Sequence, residues 1–310
     1  MKKPLLSTFL LLFLTTSVVH AQDTSVNVDS FEARELSTVP RIDGDLSEPA
    51  WDNISEIPVS REGAGPGSLP AEAGDWDITM KAAWDEETNA LYFGFHVIDD
   101  IYVKITGQGS IESPGSWQSE SLELVINAEN TGLEEDGEIS PYHVQYVFEF
   151  PTTRIPSPAG VADIPVSMEF ISMPVFEKID GRFSPGPGSL YNLDDNYVQS
   201  AGRIRVTEDP GANATWGSGL SVEFFWEIKI VPMSQLGTLS FTEEASRVKE
   251  LQPFDVIGID PGFNDSDIFL PNRDHRVNLS GFPDSWNSSE HLVGMILMPS
   301  ETRVRDWEVY

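Results

Sequence analysis

The chain has 310 residues, with 50 acidic against 19 basic side chains, no cysteine and a formal charge of −31. That balance excludes a nucleic-acid backbone binder, which needs clustered Lys and Arg to release counterions, and it disfavours docking on anionic lipid. The missing cysteine excludes disulfide scaffolds, thiolate zinc sites, iron–sulfur clusters and thiol nucleophiles. A hydrophobic share of 40% still supplies a core, over a length that fits one large β domain or two ordinary ones.

At the N-terminus, Lys2 and Lys3 precede an apolar run over 5–19 and then Val19-His20-Ala21. A charged start, an apolar stretch too short to span a bilayer and a small-residue cleavage site form a secretory signal pattern. Residues 1–21 are therefore expected to be removed on export, to the periplasm or beyond the cell. Residues 22–36 are polar and read as a flexible leader, and 37–310 as one β domain.

Period-two alternation dominates that domain. A strand ends at Trp84, and Asp85-Glu86-Glu87-Thr88-Asn89 makes a turn into a strand over 90–98 that buries Leu91, Phe93, Phe95 and Val97. Over 121–127, Leu122, Leu124 and Ile126 share one face, while Ser121, Glu123 and Asn127 look the other way. The acidic run Glu134-Glu135-Asp136-Gly137-Glu138 reads as a solvated loop tip. Residues 143–150 place Val144, Tyr146, Phe148 and Phe150 together. The Pro- and Gly-rich stretch 151–196, with Ser184-Pro185-Gly186-Pro187-Gly188, reads as long loops inserted between two strands. Residues 219–230 alternate through Leu220, Val222, Phe224, Trp226, Ile228 and Ile230. Short strands separated by turn residues predict an all-β, antiparallel β-sandwich with a long loop insertion. Trp51, Trp84 and Trp226 are expected in its core.

Five patterns in order resemble carbohydrate-binding module family 9. The first is Pro40-Arg41-Ile42-Asp43-Gly44-Asp45-Leu46-Ser47-Glu48-Pro49-Ala50-Trp51. The second is Ala83-Trp84-Asp85 with Leu91-Tyr92-Phe93 and Val97-Ile98-Asp99-Asp100. The third is Trp117-Gln118-Ser119-Glu120-Ser121-Leu122-Glu123-Leu124-Val125-Ile126-Asn127. The fourth is Ile228-Lys229-Ile230-Val231-Pro232 followed by Leu236-Gly237. The fifth joins Ile257-Gly258-Ile259-Asp260, Asn264-Asp265, Arg276, Ser285-Trp286-Asn287 and Val293-Gly294-Met295-Ile296-Leu297.

The resemblance implies a non-catalytic sugar-binding β-sandwich that serves polysaccharide breakdown or glycan capture, often beside a glycoside hydrolase. It implies a sugar ring clamped between Trp117 and Trp286, with Glu123, Gln145, His275 and Arg276 around it. The chemistry is sound: aromatic faces offer rigid, partly apolar contact to a pyranose, and a carboxylate takes charge-assisted bonds from adjacent hydroxyls. Val147 stands where the family carries an Arg, and Pro283 where an Asn contact is expected.

Structural calcium is a further expectation. Asp99, Asp100, Asp260, Asp265 and Asp267 supply hard oxygen ligands near strand ends. Two other readings belong to different classes. One is a haem-binding electron-transfer module with His96, His143, Met168 or Met173 as axial ligands; the other is an envelope interaction module using the 151–196 loops. No Gly-x-Ser-x-Gly elbow, phosphate loop or dinucleotide fingerprint is present, which argues against an enzyme.

Overall fold

The alternating segments form strands. In the computed structural model, β1 (Ser30–Glu35), β2 (Ile57–Pro58), β3 (Arg61–Glu62), β4 (Trp76–Asp85), β5 (Ala90–Tyr102) and β6 (Ser121–Asn127) come first. They are followed by β7 (His143–Glu149), β8 (Asp163–Val166), β9 (Glu169–Pro174), β10 (Glu177–Ile179), β11 (Arg182–Ser184) and β12 (Val198–Val206). The last are β13 (Leu220–Ile230), β14 (Met233–Gln235), β15 (Arg247–Val248), β16 (Val256–Asp265), β17 (His275–Asn278) and β18 (Val293–Met298). The structure describes residues 30–59, 61–62, 76–102, 121–131, 143–149, 163–166, 169–174, 177–179, 182–184, 197–206, 220–235, 247–265, 275–282, 284–285 and 288–300.

One hydrogen-bonded path runs β8-β12-β13-β5-β4-β1-β18-β16-β6-β7-β9. Trp226 on β13 and Phe263 on β16 lie five strand steps apart on that path, about 24 Å if the sheet were flat. Their ring centroids are nevertheless 6.0 Å apart, edge to face. The sheet therefore folds over on itself, and its two halves face each other across one apolar core. Phe93, Phe95, Phe224, Trp226, Tyr146, Phe148 and Phe263 fill that core at 1% exposure or less. Each such Phe contributes about 1.5–3 kcal/mol by leaving water. Trp84 and Trp226 lie in that core as expected, whereas Trp51 is fully buried in a second apolar cluster on the outer face, with Ala83 and Tyr92, because the 40–51 segment packs over the sheet.

Two expectations are corrected. The polar leader includes β1, which pairs in parallel with β18 on one side and with β4 on the other. It links the two halves of the sheet, so the sandwich is not purely antiparallel. Its polar sequence conceals this because backbone pairing on both edges holds it, while only Ala33 is fully buried. The 151–196 stretch carries four strands rather than loops alone. β8 adds to β12 and β9 adds to β7, so each extends one end of the path, while β10 and β11 pair with each other. Edge strands offer unpaired N–H and C=O groups that even a four-residue segment can satisfy, with no need for a strong apolar pattern.

The resemblance motif at 40–51 has a physical role. Glu227 points away from the core and is fully buried. Its Oε2 accepts the backbone N–H of Asp43 at 2.8 Å, Gly44 at 2.8 Å and Asp45 at 3.2 Å, and its Oε1 accepts the Trp51 indole N–H at 2.7 Å. Burial pushes the Glu227 carboxyl above the usual range while these donors pull it down. Gly44 has φ +81° and packs on the β12 backbone, a position that a side chain would strain.

Candidate functional site

The face of β6, β7, β16 and β17 turned away from the core is polar, yet it is buried. Ser121, Glu123, Asn264 and Arg276 are each 3% exposed or less. Asn264 Nδ2 donates to Ser121 Oγ and to Glu123 Oε1, both at 3.0 Å. Arg276 Nη2 donates to Glu123 Oε2 at 2.9 Å. Arg276 starts on β17, and Glu123 lies on β6 beyond the intervening β16. The guanidinium crosses β16 beside Gly262, where an added Cβ would sit 3.5 Å from Arg276 Nη2 and 3.3 Å from the Val277 carbonyl. A glycine here leaves the side chain its passage. Both oxygens of Glu123 thus have protein donors, which fixes the carboxylate. Val147 lies opposite Glu123 and is fully buried.

A second carboxylate sits one outward position along β16 from Gly262. Asp260 Oδ1 accepts the Ser280 N–H at 2.8 Å, and Oδ2 accepts Asn278 Nδ2 at 2.8 Å and Ser280 Oγ at 2.9 Å. Asn278 Nδ2 also reaches the Phe282 carbonyl at 2.6 Å and Ser285 Oγ at 3.3 Å. Burial pushes the Asp260 carboxyl up to about 6, against the pull of Ser285, Ser280 and Arg276. These bonds staple the turn after β17 onto the sheet. His291 braces the same turn: Nδ1 lies 2.6 Å from Asp284 Oδ1, and the ring stacks on Phe282 at 4.2 Å.

Of the residues expected at the site, Glu123, Gln145 and Arg276 share this face, with Gln145 the most open at 7%. His275 opens β17 opposite Asp265, but its side chain lies outside the described residues. Trp117 and Trp286 also lie outside the described residues, as do the 134–138 acidic run, Met168 and Asp267. Trp117 stands four positions before β6, and Trp286 directly follows Ser285. Asn264 was visible only as part of a quoted pattern, and Asn278 and Ser280 carried no signal. Their roles depend on register between distant strands, which no local pattern encodes.

Of the acids expected to hold calcium, Asp99, Asp260 and Asp265 are described and buried, while Asp267 and the Asp100 side chain lie outside the described residues. Asp260 is committed to Asn278 and Ser280, and among the described residues no three of His, Asp and Glu gather around a common point. For the haem expectation the structure places only the two histidines, since Met168 and the Met173 side chain lie outside the described residues. His96 follows core-facing Phe95 on β5, and His143 precedes core-facing Val144 on β7, so the two sit on opposite outer faces. His143 Nδ1 pairs with Ser289 Oγ at 3.0 Å, and His96 stacks on Phe225. One iron cannot take both. No helix among the described residues is long and apolar enough to cross a membrane.

No protein-family profile matches the sequence, and no curated protein matches it. Solved structures do match. One is a carbohydrate-binding module of family 9 from Caldicellulosiruptor kristjanssonii in complex with cellotriose, 12% identical, with a TM-score of 0.51, covering 87% of this chain and 95% of that one. Another is described as a family 9 module of the same organism in complex with glucose, 11% identical, TM-score 0.46, covering 87% and 97%. The first likeness establishes the fold: the chain is a β-sandwich of the kind the resemblance implied.

Proposed function

We propose that this protein is an exported, non-catalytic carbohydrate-binding protein that holds a sugar over the outer face of β6, β7, β16 and β17 and serves polysaccharide breakdown. The observation that carries this reading is the shared fold over 87% of the chain with a module that holds cellotriose. The same face supports it, with Glu123, Arg276 and Asn264 locked before any ligand arrives. A fixed polar layer loses little entropy on binding, and rigid aromatic rings add contact area cheaply. Trp117 and Trp286 are the proposed clamp, with Gln145 and His275 as further contacts. A glycoside hydrolase acting on the captured polysaccharide is the proposed partner.

Retention on insoluble cellulose, xylan, mannan and pectin columns, with elution by soluble oligosaccharides, tests the proposal. It predicts retardation on at least one matrix and release by the matching oligosaccharide. Passage through all of them unretarded would contradict it.

A further inference from the structure

A cavity of about 410 Å³ opens on the opposite outer face, over β4, β5, β12 and β13. Such a volume is ordinary for a small-molecule site, roughly 300–1,000 Å³. Its floor is one cross-strand row, Arg203–Phe225–His96–Thr79. The His96 ring lies flat on Phe225, 4.7 Å between centroids and 5° between planes, and the Arg205 guanidinium sits 5.3 Å from the Phe225 centroid. One wall is the 44–47 loop, held by Glu227 and by Arg203, whose guanidinium contacts Asp43 and Asp45 at 3.1 Å each. Gly94 marks where that loop meets the floor, since a Cβ there would lie 2.7 Å from Leu46 Cδ2. The wall is thus tied to the floor by the Glu227 and Arg203 contacts.

Lys81, Arg203 and Arg205 line the cavity with Asp45 and Glu56. Arg203 is taken by Asp43 and Asp45, and Arg205 by Glu223 at 2.9 Å, so Lys81 is the cation turned to a ligand. Among the described residues, Lys81 Nζ donates to the Trp51 carbonyl at 3.3 Å and stands 3.8 Å from Glu56. His96 Nε2 is buried, has no hydrogen-bond partner among the described residues and stands 3.8 Å from Glu223 Oε2. Lys81 and His96 are diagonal neighbours on adjacent strands, about 7–8 Å apart by backbone, a gap that one carboxylate can bridge. Asp45 and Glu56 oppose a dianion but accept from hydroxyl groups.

We infer that this cavity is a second binding site, for an acidic sugar of the hexuronate class. The carboxylate lies between Lys81 and His96, and the ring hydroxyls face Thr79, Asp45 and Glu56. This site is independent of the sugar face on the other half of the sandwich. Calorimetric titration of the whole protein with galacturonate, galactose and inorganic phosphate tests it, with Lys81→Gln, His96→Gln and Trp117→Ala as variants. Melting curves for each variant confirm that it is folded, and Arg205→Gln, half-exposed and on the cavity rim, replaces either variant that is not. The expected result is binding of galacturonate in preference to galactose and phosphate, weakened about tenfold or more in Lys81→Gln and His96→Gln and unchanged in Trp117→Ala. Equal binding of galactose, preference for phosphate, absence of galacturonate binding, or unaltered affinity in the cavity variants would overturn it.

Discussion

Glu227 and Asp260 are the same device on opposite faces of the sandwich. Each is a buried carboxylate in mid-strand, turned away from the core, that grips a loop through that loop's own N–H or hydroxyl groups. They differ in what stands beside them. Glu227 meets three consecutive backbone N–H groups and one indole, and the loop it holds follows β1. Asp260 meets one backbone N–H, the Asn278 side-chain amide and the Ser280 hydroxyl, with Arg276 close by, and the turn it holds leads to Trp286. Backbone donors dominate at Glu227 and side-chain donors at Asp260, while burial pushes both carboxyls up, so both grips follow pH.

Substitutions can break this comparison, and the largest effect is expected in the layer that Asp260 shares. Arg276→Met leaves Glu123 buried without its cation and should cost about 3–5 kcal/mol in chemical denaturation. Pairing it with Glu123→Leu should recover much of that loss. A double variant as weak as the single would show that packing rather than charge holds the layer.

Next comes the pH response. The folded Asp260 carboxyl sits at about 6, above its ordinary 3.8, so burial favours its protonated form. Its contribution to stability is fully present below pH 3.8 and is lost as pH rises through about 6, a span worth roughly 3 kcal/mol at most. Asp260→Asn should flatten that part of the stability–pH curve between pH 4 and 7. An unchanged curve would place the titration elsewhere. Glu227→Gln should cost about 2 kcal/mol at neutral pH, because an amide NH2 then faces the Trp51 indole or the loop N–H groups. Gly94→Ala is the smallest, about 1 kcal/mol, since Leu46 is only partly buried and can shift. Thermal melts rank these last two, and a larger loss for Gly94→Ala would mean that the loop cannot move.

The strands were legible wherever one face meets the core, as on β5 and β13, because alternation reports burial directly. β1 was not legible, since a strand paired on both edges with only Ala33 fully buried carries little alternation. The short β8 to β11 were missed for the related reason that edge pairing is paid in backbone bonds. At the site, alternation placed Glu123 on the right face but could not reveal its burial, which comes from β16 and β17, more than 130 positions later. Glu227 read as an ordinary outward strand acid, because its partners lie 176–184 positions earlier in the chain.

The proposed sugar face is tested most directly by calorimetry of the intact protein against the oligosaccharide that elutes it, compared with Trp117→Ala and Trp286→Ala. The account predicts measurable affinity in the parent and a loss of about tenfold or more in each variant, with melting temperatures unchanged. Equal affinity in all three proteins would contradict it.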